Sequence, residues 1–346
     1  MRHLLFASEL YAMPILRPIA EAAKKRGDHV RWFVSSRIGA YLQASELRLT
    51  DARAVREWAP DAVVSASNWV PHFFPGLKVQ VFHGFNVDKR SDSRGHFRIR
   101  GLFDLYCTQG PATTEPFQAM QRALRHFHVI ETGWPKLDPL FDPVDPTSTL
   151  DLTPKREMVA YASTFTASLS SAPLLYRAIS EQIVRGDRYW LLTLHPKSPV
   201  FWQDRYRALA GSNAHYVEAD QLVRMLAAAD VLVSDTSSVV SEFAVIGKPV
   251  VTFRNRAPKP YMIDIRDPTE LENALRRACA NDAGQRLALA SVSDAIHPYR
   301  DGRSSERVLD AIATVLDDCA PPQRKPSNFA RKLKIRWRLR EFGRVG

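Results

Sequence analysis

Cysteine is scarce in this sequence. Cys107, Cys279 and Cys319 are the three thiols among 346 residues, and no two of them stand at a CxxC spacing. That isolation argues against both a disulfide framework and a thiolate zinc site, and leaves each as core filling. The DxD, HExxH and Cys-His clusters that hold metals are also missing, so no protein-bound metal and no cofactor is expected. No apolar run reaches the roughly 18 residues needed to cross a bilayer. The opening MRHLLFASELYAMPILRP acquires Glu9 soon after a short apolar run and has no small-residue cleavage site. It therefore reads as a first strand and not as a signal peptide, and the expected location is the cytoplasm. Acidic residues are nearly missing from one stretch: residues 324–346 hold nine Lys or Arg against Glu341 alone. The whole chain carries +11, and without that stretch about +3 remains, so the basic character belongs to the tail.

What is present is a soluble globular composition, 45% hydrophobic and 25% charged. A chain of this length suits two domains of about 150 residues. Short apolar strands alternate with helical stretches: RHLLFA (2–7), a helix near 14–26, HVRWFVS (29–35), DAVVSAS (61–67), VQVFHG (79–84), FDLYCTQ (103–109) and HVIETG (128–133). The pattern resumes with MVAYAST (158–164), YWLLTLHP (189–196), AHYVEAD (214–220), a helix over 221–229, VLVSD (231–235), a helix near 237–247, PVVTF (249–253) and a helix over 268–281. This is the βα alternation of a parallel sheet, given twice. Between the halves, residues 138–157 carry four prolines and neither period, which marks a linker. The expected organisation is a first α/β domain over 1–140, a linker over 141–157, a second α/β domain over 158–320 and a basic aromatic tail over 321–346. Two doubly wound domains imply a cleft, with ligands beyond the carboxyl ends of the strands.

Three polar groups follow strands directly: His83-Gly84, His195-Pro196-Lys197, and Asp235-Thr236-Ser237-Ser238. The last opens a helix, where unpaired N–H groups favour an anion, and Glu242 lies one turn beyond Ser238 on the same face. A carboxylate there can accept from ribose hydroxyls while the turn holds phosphate. The alternative is an ordinary N-cap, since Ser, Thr and Asp all cap well. An unperturbed His83 is neutral near pH 7 and can take a proton from a hydroxyl, or it can simply be a hydrogen-bonded strand-end residue. His195 and Lys197 can stabilise charge on a leaving phosphate, or merely terminate a strand. In RDGRSSERVLDAI (300–312), Arg300, Arg303 and Arg307 offer phosphate-complementary forks while Ser304 and Ser305 can cap the helix.

Taken in order, these blocks resemble the CDP-glycerol glycerophosphotransferase family, the enzymes of glycerol-phosphate teichoic acids. The resemblance runs from about residue 79 to 312. It includes His83-Gly84 with Lys89 downstream, TGWPKLD (132–138), YAST (161–164), His195, SDTSSVVSEFAVIGKPVV and DGRSSERV. It implies an α/β GT-B fold, two Rossmann-like doubly wound domains facing a cleft, with acceptor binding in the first domain and CDP-glycerol in the second. His83 would be the general base, and His195 would contact the donor phosphates. The implied donor site comprises Ser163, Thr164, Lys197, Asp235, Thr236, Ser237, Ser238, Glu242, Arg300, Arg303, Ser304 and Ser305; Gly84, Asp88 and Lys89 would serve the acceptor. The implied reaction is displacement at the β-phosphorus by an acceptor hydroxyl of a glycan or lipid-linked precursor, with CMP leaving. The first block reads HGFNVDK where the family has HGTPLK, so related transferases using CMP-linked or UDP-linked sugars stay open.

A UDP-N-acetylglucosamine 2-epimerase on this fold has glycines where Ser237 and Ser238 stand, which disfavours it. A nucleic-acid binder built on the tail lacks a basic stripe on the body. In the tail, Phe329, Leu333 and Trp337 share a helical face, but Leu333, Ile335, Trp337 and Leu339 also alternate with basic residues. The expected partner is an anionic membrane surface, at about 1 kcal/mol per cation near it.

Overall fold

The computed structural model describes residues 1–85, 97–141, 156–317 and 323–339. The chain divides into two compact units, Met1–Asp138 with Ile296–Gly346, and Pro139–Ala295.

The first unit begins with β1 (Arg2–Ala7), α1 (Met13–Lys25), β2 (His29–Val34), α2 (Ser36–Gly39), α3 (Ala52–Trp58) and β3 (Ala62–Ser65). It continues with β4 (Leu77–Gln80), β5 (Leu105–Thr108), α4 (Pro111–Leu124) and β6 (His128–Glu131). The six strands pair in parallel in the order β2-β1-β3-β4-β5-β6. β1 is apolar from Leu4 to Ala7 and buried from His3 to Ala7, as a strand covered on both faces must be. In α1, Ile15, Leu16, Ile19, Ala20 and Ala23 form the buried face, Pro14 occupies the first turn, and Lys24 and Lys25 oppose the dipole in the last. Much of the core is aromatic, with Phe6, Phe33, Phe82, Phe103, Tyr106, Phe117 and Phe127 in one cluster.

The second unit holds β7 (Met158–Ser163), α5 (Ala172–Arg185), β8 (Tyr189–Leu194), α6 (Val200–Arg207), β9 (Ala214–Tyr216), α7 (Leu222–Ala228) and β10 (Val231–Ser234). Then come α8 (Val239–Val245), β11 (Val250–Phe253), β12 (Met262–Ile265), α9 (Leu271–Ala280) and α10 (Ala283–Ile296). Its sheet is also parallel, in the order β12-β11-β10-β7-β8-β9. Alternate residues of β7 serve opposite faces: Val159 and Tyr161 enter one apolar cluster, Met158, Ala160 and Ala162 the other. Neither β12 nor α10 was expected from the sequence.

The chain then returns to the first unit through α11 (Ser304–Asp317) and α12 (Phe329–Arg338), which corrects the expected boundaries. Residues 296–320 were expected in the second domain, and 321–346 as a separate tail. The reason for the return is local. The Asp138 carboxylate accepts from the backbone N–H groups of Ser304 (2.9 Å) and Ser305 (2.7 Å), capping α11, and Arg26 pairs with Asp310 at 2.6 Å. Gly133, at φ 80°, lies where a Cβ would come 2.5 Å from the Ser304 hydroxyl, so no other residue fits. The described tail is helical and docked. Ile335 and Leu339 are buried in the aromatic cluster, and Lys325 pairs with Asp104 at 2.6 Å. Among the described residues, no helix is long and apolar enough to cross a membrane.

Candidate functional site

In a doubly wound sheet the natural ligand position is where successive connections diverge, beyond the strand ends. In the second unit that point lies between β7 and β10. The residues following those two strands are Thr164 and Asp235, both named from the sequence. Asp235 is fully buried. Its carboxylate accepts from the hydroxyls of Ser163 (2.6 Å) and Ser171 (2.9 Å) and from the N–H groups of Thr164 (3.0 Å) and Ser171 (2.9 Å). Four donors on one carboxylate make it a fixed clamp. Asp235 and Ser163 therefore correct the expectation of direct donor contact: they hold the segment 163–171 in place.

The hydroxyls beyond the clamp remain accessible. Thr236 and Ser237 are half-buried and Ser238 is exposed, and Ser238 makes no side-chain cap bond to the two-turn helix α8. The Thr236 hydroxyl accepts from the Arg256 N–H at 3.1 Å, and the Ser237 hydroxyl has only a marginal 3.5 Å contact with Val239 N–H. The ordinary N-cap is thus not what these residues make. Glu242 lies one turn on, as its spacing requires, but is 4% exposed.

The two strand-end histidines sit one in each unit, and their hydrogen bonds select opposite tautomers. His83 directs Nδ1 at the Ala66 carbonyl, 3.1 Å away; a carbonyl only accepts, so Nδ1 carries the proton and Nε2 keeps its lone pair. His195 accepts from the Lys197 N–H at Nδ1, 3.0 Å away, so its proton sits on Nε2. Both rings are exposed at one edge. Partial burial, with Arg100 nearby, holds the His83 pKa below 6.5, though the Ala66 bond opposes it. Partial burial followed by Lys197 does the same for His195. Both are therefore neutral near pH 7: His83 offers a base, His195 an N–H donor. His195 is packed on Phe165, ring centroids 4.4 Å apart, and the Lys197 ammonium lies 5.6 Å from the same ring.

The turn to His83 is strained. Phe82 has φ 54°, rare for a bulky residue, which leaves its ring in the core and brings His83 out. The Gly84 carbonyl accepts from Gln109 at 3.3 Å. Asp88 and Lys89 lie outside the described residues.

Four residues expected at the donor, Arg300, Arg303, Ser304 and Ser305, fall in the first of the two units. Ser304 and Ser305 are buried with their N–H groups on Asp138, and the Arg303 guanidinium closes on Glu306 at 2.7 and 2.9 Å. The helix start that resembled an anion site already holds a carboxylate of this chain. His297 completes the junction by accepting from the Trp134 N–H at 2.9 Å. TGWPKLD and DGRSSERV are thus two sides of one structural joint. Sequence reading missed Asp138 and His297 in that role because their partners are more than 160 residues away. It also missed Tyr11 and Ser67 beside His83, which carry no motif.

Comparison with known proteins bears on the fold and the family. A variant of the wall teichoic acid polymerase TagF, soaked with CDPG, superposes with a TM-score of 0.66 at 15% identity, covering 90% of this chain and 88% of that one. A UDP-N-acetylglucosamine 2-epimerase from Listeria monocytogenes gives 0.64 at 14% identity, covering 94% and 99%. These likenesses share the fold, GT-B. Among curated proteins, the teichoic acid ribitol-phosphate polymerase TarK of Staphylococcus aureus is 24% identical over 266 residues, 67% of this chain and 51% of that protein. The chain thus spans about half the length of the curated relatives it matches. The profile of the CDP-glycerol:poly(glycerophosphate) glycerophosphotransferases matches residues 89–314, well over half the chain, and the protein belongs to that family.

Proposed function

We propose that this protein transfers glycerol phosphate from CDP-glycerol to a hydroxyl of a cell-surface glycan or lipid-linked precursor, releasing CMP. The observation that carries this reading is the pair of opposite tautomers, a lone-pair Nε2 on His83 and an N–H on His195. Such a transfer needs one of each: a base for the attacking hydroxyl and a donor for the charge that builds on the phosphate. The acceptor oxygen bonds to the β-phosphorus while its proton passes to His83 Nε2. The bond from that phosphorus to the oxygen shared with CMP breaks, and the electron pair leaves with CMP. His195 Nε2–H and Lys197 face the donor phosphates, and Thr236, Ser237, Ser238 and Glu242 serve the nucleotide, with Thr164 held beside them. Gly84, Asp88 and Lys89 belong to the acceptor side.

The similarity to TarK favours one variant of this reading, in which the transferred alditol phosphate is ribitol phosphate. Calorimetric titration with CDP-glycerol, CDP-ribitol, CMP-sugars and UDP-sugars separates the cases. Selective binding of CDP-glycerol, weakened in Ser237→Ala, is the expected result. Preference for a nucleotide sugar would keep the fold and overturn the reaction.

The protein works at the inner face of the cytoplasmic membrane, held there through α12. Phe329, Leu333 and Trp337 recur every four residues and are 78%, 60% and 63% exposed, while Ile335 and Leu339 anchor the opposite face. Lys332 and Lys334 belong to the same helix, and Arg336 and Arg338 lie over Phe73 and Trp69 of the first unit; this cationic helix suits anionic headgroups. Because the helix is part of the first unit, deleting residues 324–346 would also remove core. The cleaner test replaces Phe329, Leu333 and Trp337 with Ser. Co-sedimentation with phosphatidylglycerol vesicles should then be lost with nucleotide binding retained, and unchanged sedimentation would exclude this face.

A further inference from the structure

The first unit has its own divergence point, between β1 and β3. Ser8 is the first residue past β1 and Ser67 the second past β3, and their hydroxyls lie 3.0 Å apart. The Tyr11 hydroxyl joins them, 3.4 Å from that of Ser67. Tyr11 is 44% exposed, Ser8 half-buried and Ser67 buried, so two outer hydroxyls flank an inner one. The phenol ring of Tyr11 also packs on His83, centroids 5.1 Å apart. A single turn fixes everything here. The Ser67 N–H donates to the Ser65 hydroxyl (3.1 Å), which donates to the Trp69 carbonyl (3.1 Å), and the Ala66 carbonyl between them sets the His83 tautomer.

We propose that the Ser8–Ser67–Tyr11 chain is a subsite for a second hydroxyl of the acceptor, beside the one that His83 deprotonates. This deepens the transferase reading and rests on it. Three hydroxyls carry three protons, and two are taken up inside the chain. When both bonds run in the same direction, one proton is left to donate at one end while the other end accepts, so the chain complements a neutral hydroxyl, itself donor and acceptor. A phosphate would need several donors or a cation. Among the described contacts no cation partners these hydroxyls, and the Glu9 carboxylate nearby is paired with Arg37 at 3.5 Å, so that pair carries no net charge. Burial keeps the Tyr11 phenol protonated, its pKa raised, with the Ser67 bond opposing and Glu9 adding to the rise. The ligand class is therefore a polyol end with adjacent hydroxyls. Ser8 and Tyr11 touch it, and Ser67 is a positioning residue that aligns both.

The test uses a synthetic glycerol phosphate trimer ending in a free vicinal diol, and the same trimer lacking the secondary hydroxyl at that end. In calorimetric titrations the wild type should bind the diol trimer about tenfold more tightly, the scale of one net hydrogen bond. Tyr11→Phe keeps the ring on His83 and should erase the preference. Ser67→Ala should reduce it, and in transfer assays should raise the acceptor KM more than it lowers kcat. Equal wild-type affinity for the two trimers, no binding of either, or an undiminished preference in both variants would overturn the subsite. Titration of the same samples with CDP-glycerol keeps the questions apart. Trimer discrimination without CDP-glycerol binding would sink the donor assignment and leave the polyol subsite standing.

Discussion

The two sheets order their strands differently, β2-β1-β3-β4-β5-β6 against β12-β11-β10-β7-β8-β9, yet each collects polar side chains where its connections diverge. The chemistry gathered there is not the same. In the second unit one buried carboxylate, Asp235, draws four donors onto itself, the Thr236, Ser237 and Ser238 hydroxyls beyond it stay accessible, and His195 offers an N–H. In the first unit neutral hydroxyls meet each other, next to a histidine whose free nitrogen accepts. A rigid clamp beneath a donor-rich rim suits a phosphate-bearing ligand, whereas a reversible hydroxyl chain beside a base suits an alcohol. The same placement rule has been filled with complementary chemistry, which is what a transfer between two substrates requires.

The sharpest way to break this comparison is to exchange the roles of the histidines. His83→Ala should lower kcat by about 10² to 10⁴, the usual contribution of a general base, with CDP-glycerol affinity unchanged. His83→Gln should be equally inactive, because an amide cannot take the proton. At His195 the replacements should diverge. His195→Ala should cost about 10² to 10³ in kcat, as for loss of one donor to a developing charge, whereas His195→Gln retains an N–H and should recover part of that loss. CMP release measured across the four variants decides it, and rescue by Gln at 83 but not at 195 would invert the assignment.

Next in size is the clamp. Asp235→Ala strands four donors in a buried site and should destabilise the second unit by about 3 kcal/mol, read from denaturant unfolding. The corresponding change in the first unit, Asp138→Ala, uncaps α11 and should cost about 1–2 kcal/mol. CDP-glycerol binding should suffer in the first variant and survive in the second. Loss of binding in Asp138→Ala would restore Ser304 and Ser305 to the donor site.

The contrast also explains what could be read from the sequence. The strands are apolar runs bounded by turn residues, and their ends pointed to His83, His195 and the 235–238 turn, because in a parallel sheet ligands sit beyond the strand ends. The α12 helix was ambiguous because LKIRWRL fits both a period of two and one of about four, and only the burial of Ile335 and Leu339 against exposed Phe329, Leu333 and Trp337 decides for the helix. The return of the chain at Ile296 was not legible. Its cause is a carboxylate at 138 meeting N–H groups at 304 and 305, and no local period reports a contact so distant. For the same reason DGRSSERV looked like a ligand site, since a helix start capped from afar has the same sequence as one that binds an anion.

The smallest expected effect concerns the charge near the base. His83 must be neutral to accept a proton, so activity should fall as pH drops through its pKa, which lies below 6.5. Partial burial is the larger cause of that depression and the positive charge of Arg100 adds to it. Arg100→Gln removes the second cause alone, so the His83 pKa should rise and the acid limb of kcat/KM should move to higher pH. Arg100 belongs to the first unit and the proposed donor residues to the second, so CDP-glycerol affinity at pH 8 should not change. His195 gives the contrasting control: Lys197→Gln should raise the pKa of that ring in the same way. There, however, protonation needs Nδ1 to surrender the Lys197 N–H, and the result is a second donor rather than a lost base. Lys197→Gln should therefore weaken donor binding without moving the acid limb, and an acid limb that follows Lys197 instead of Arg100 would transfer the base to His195.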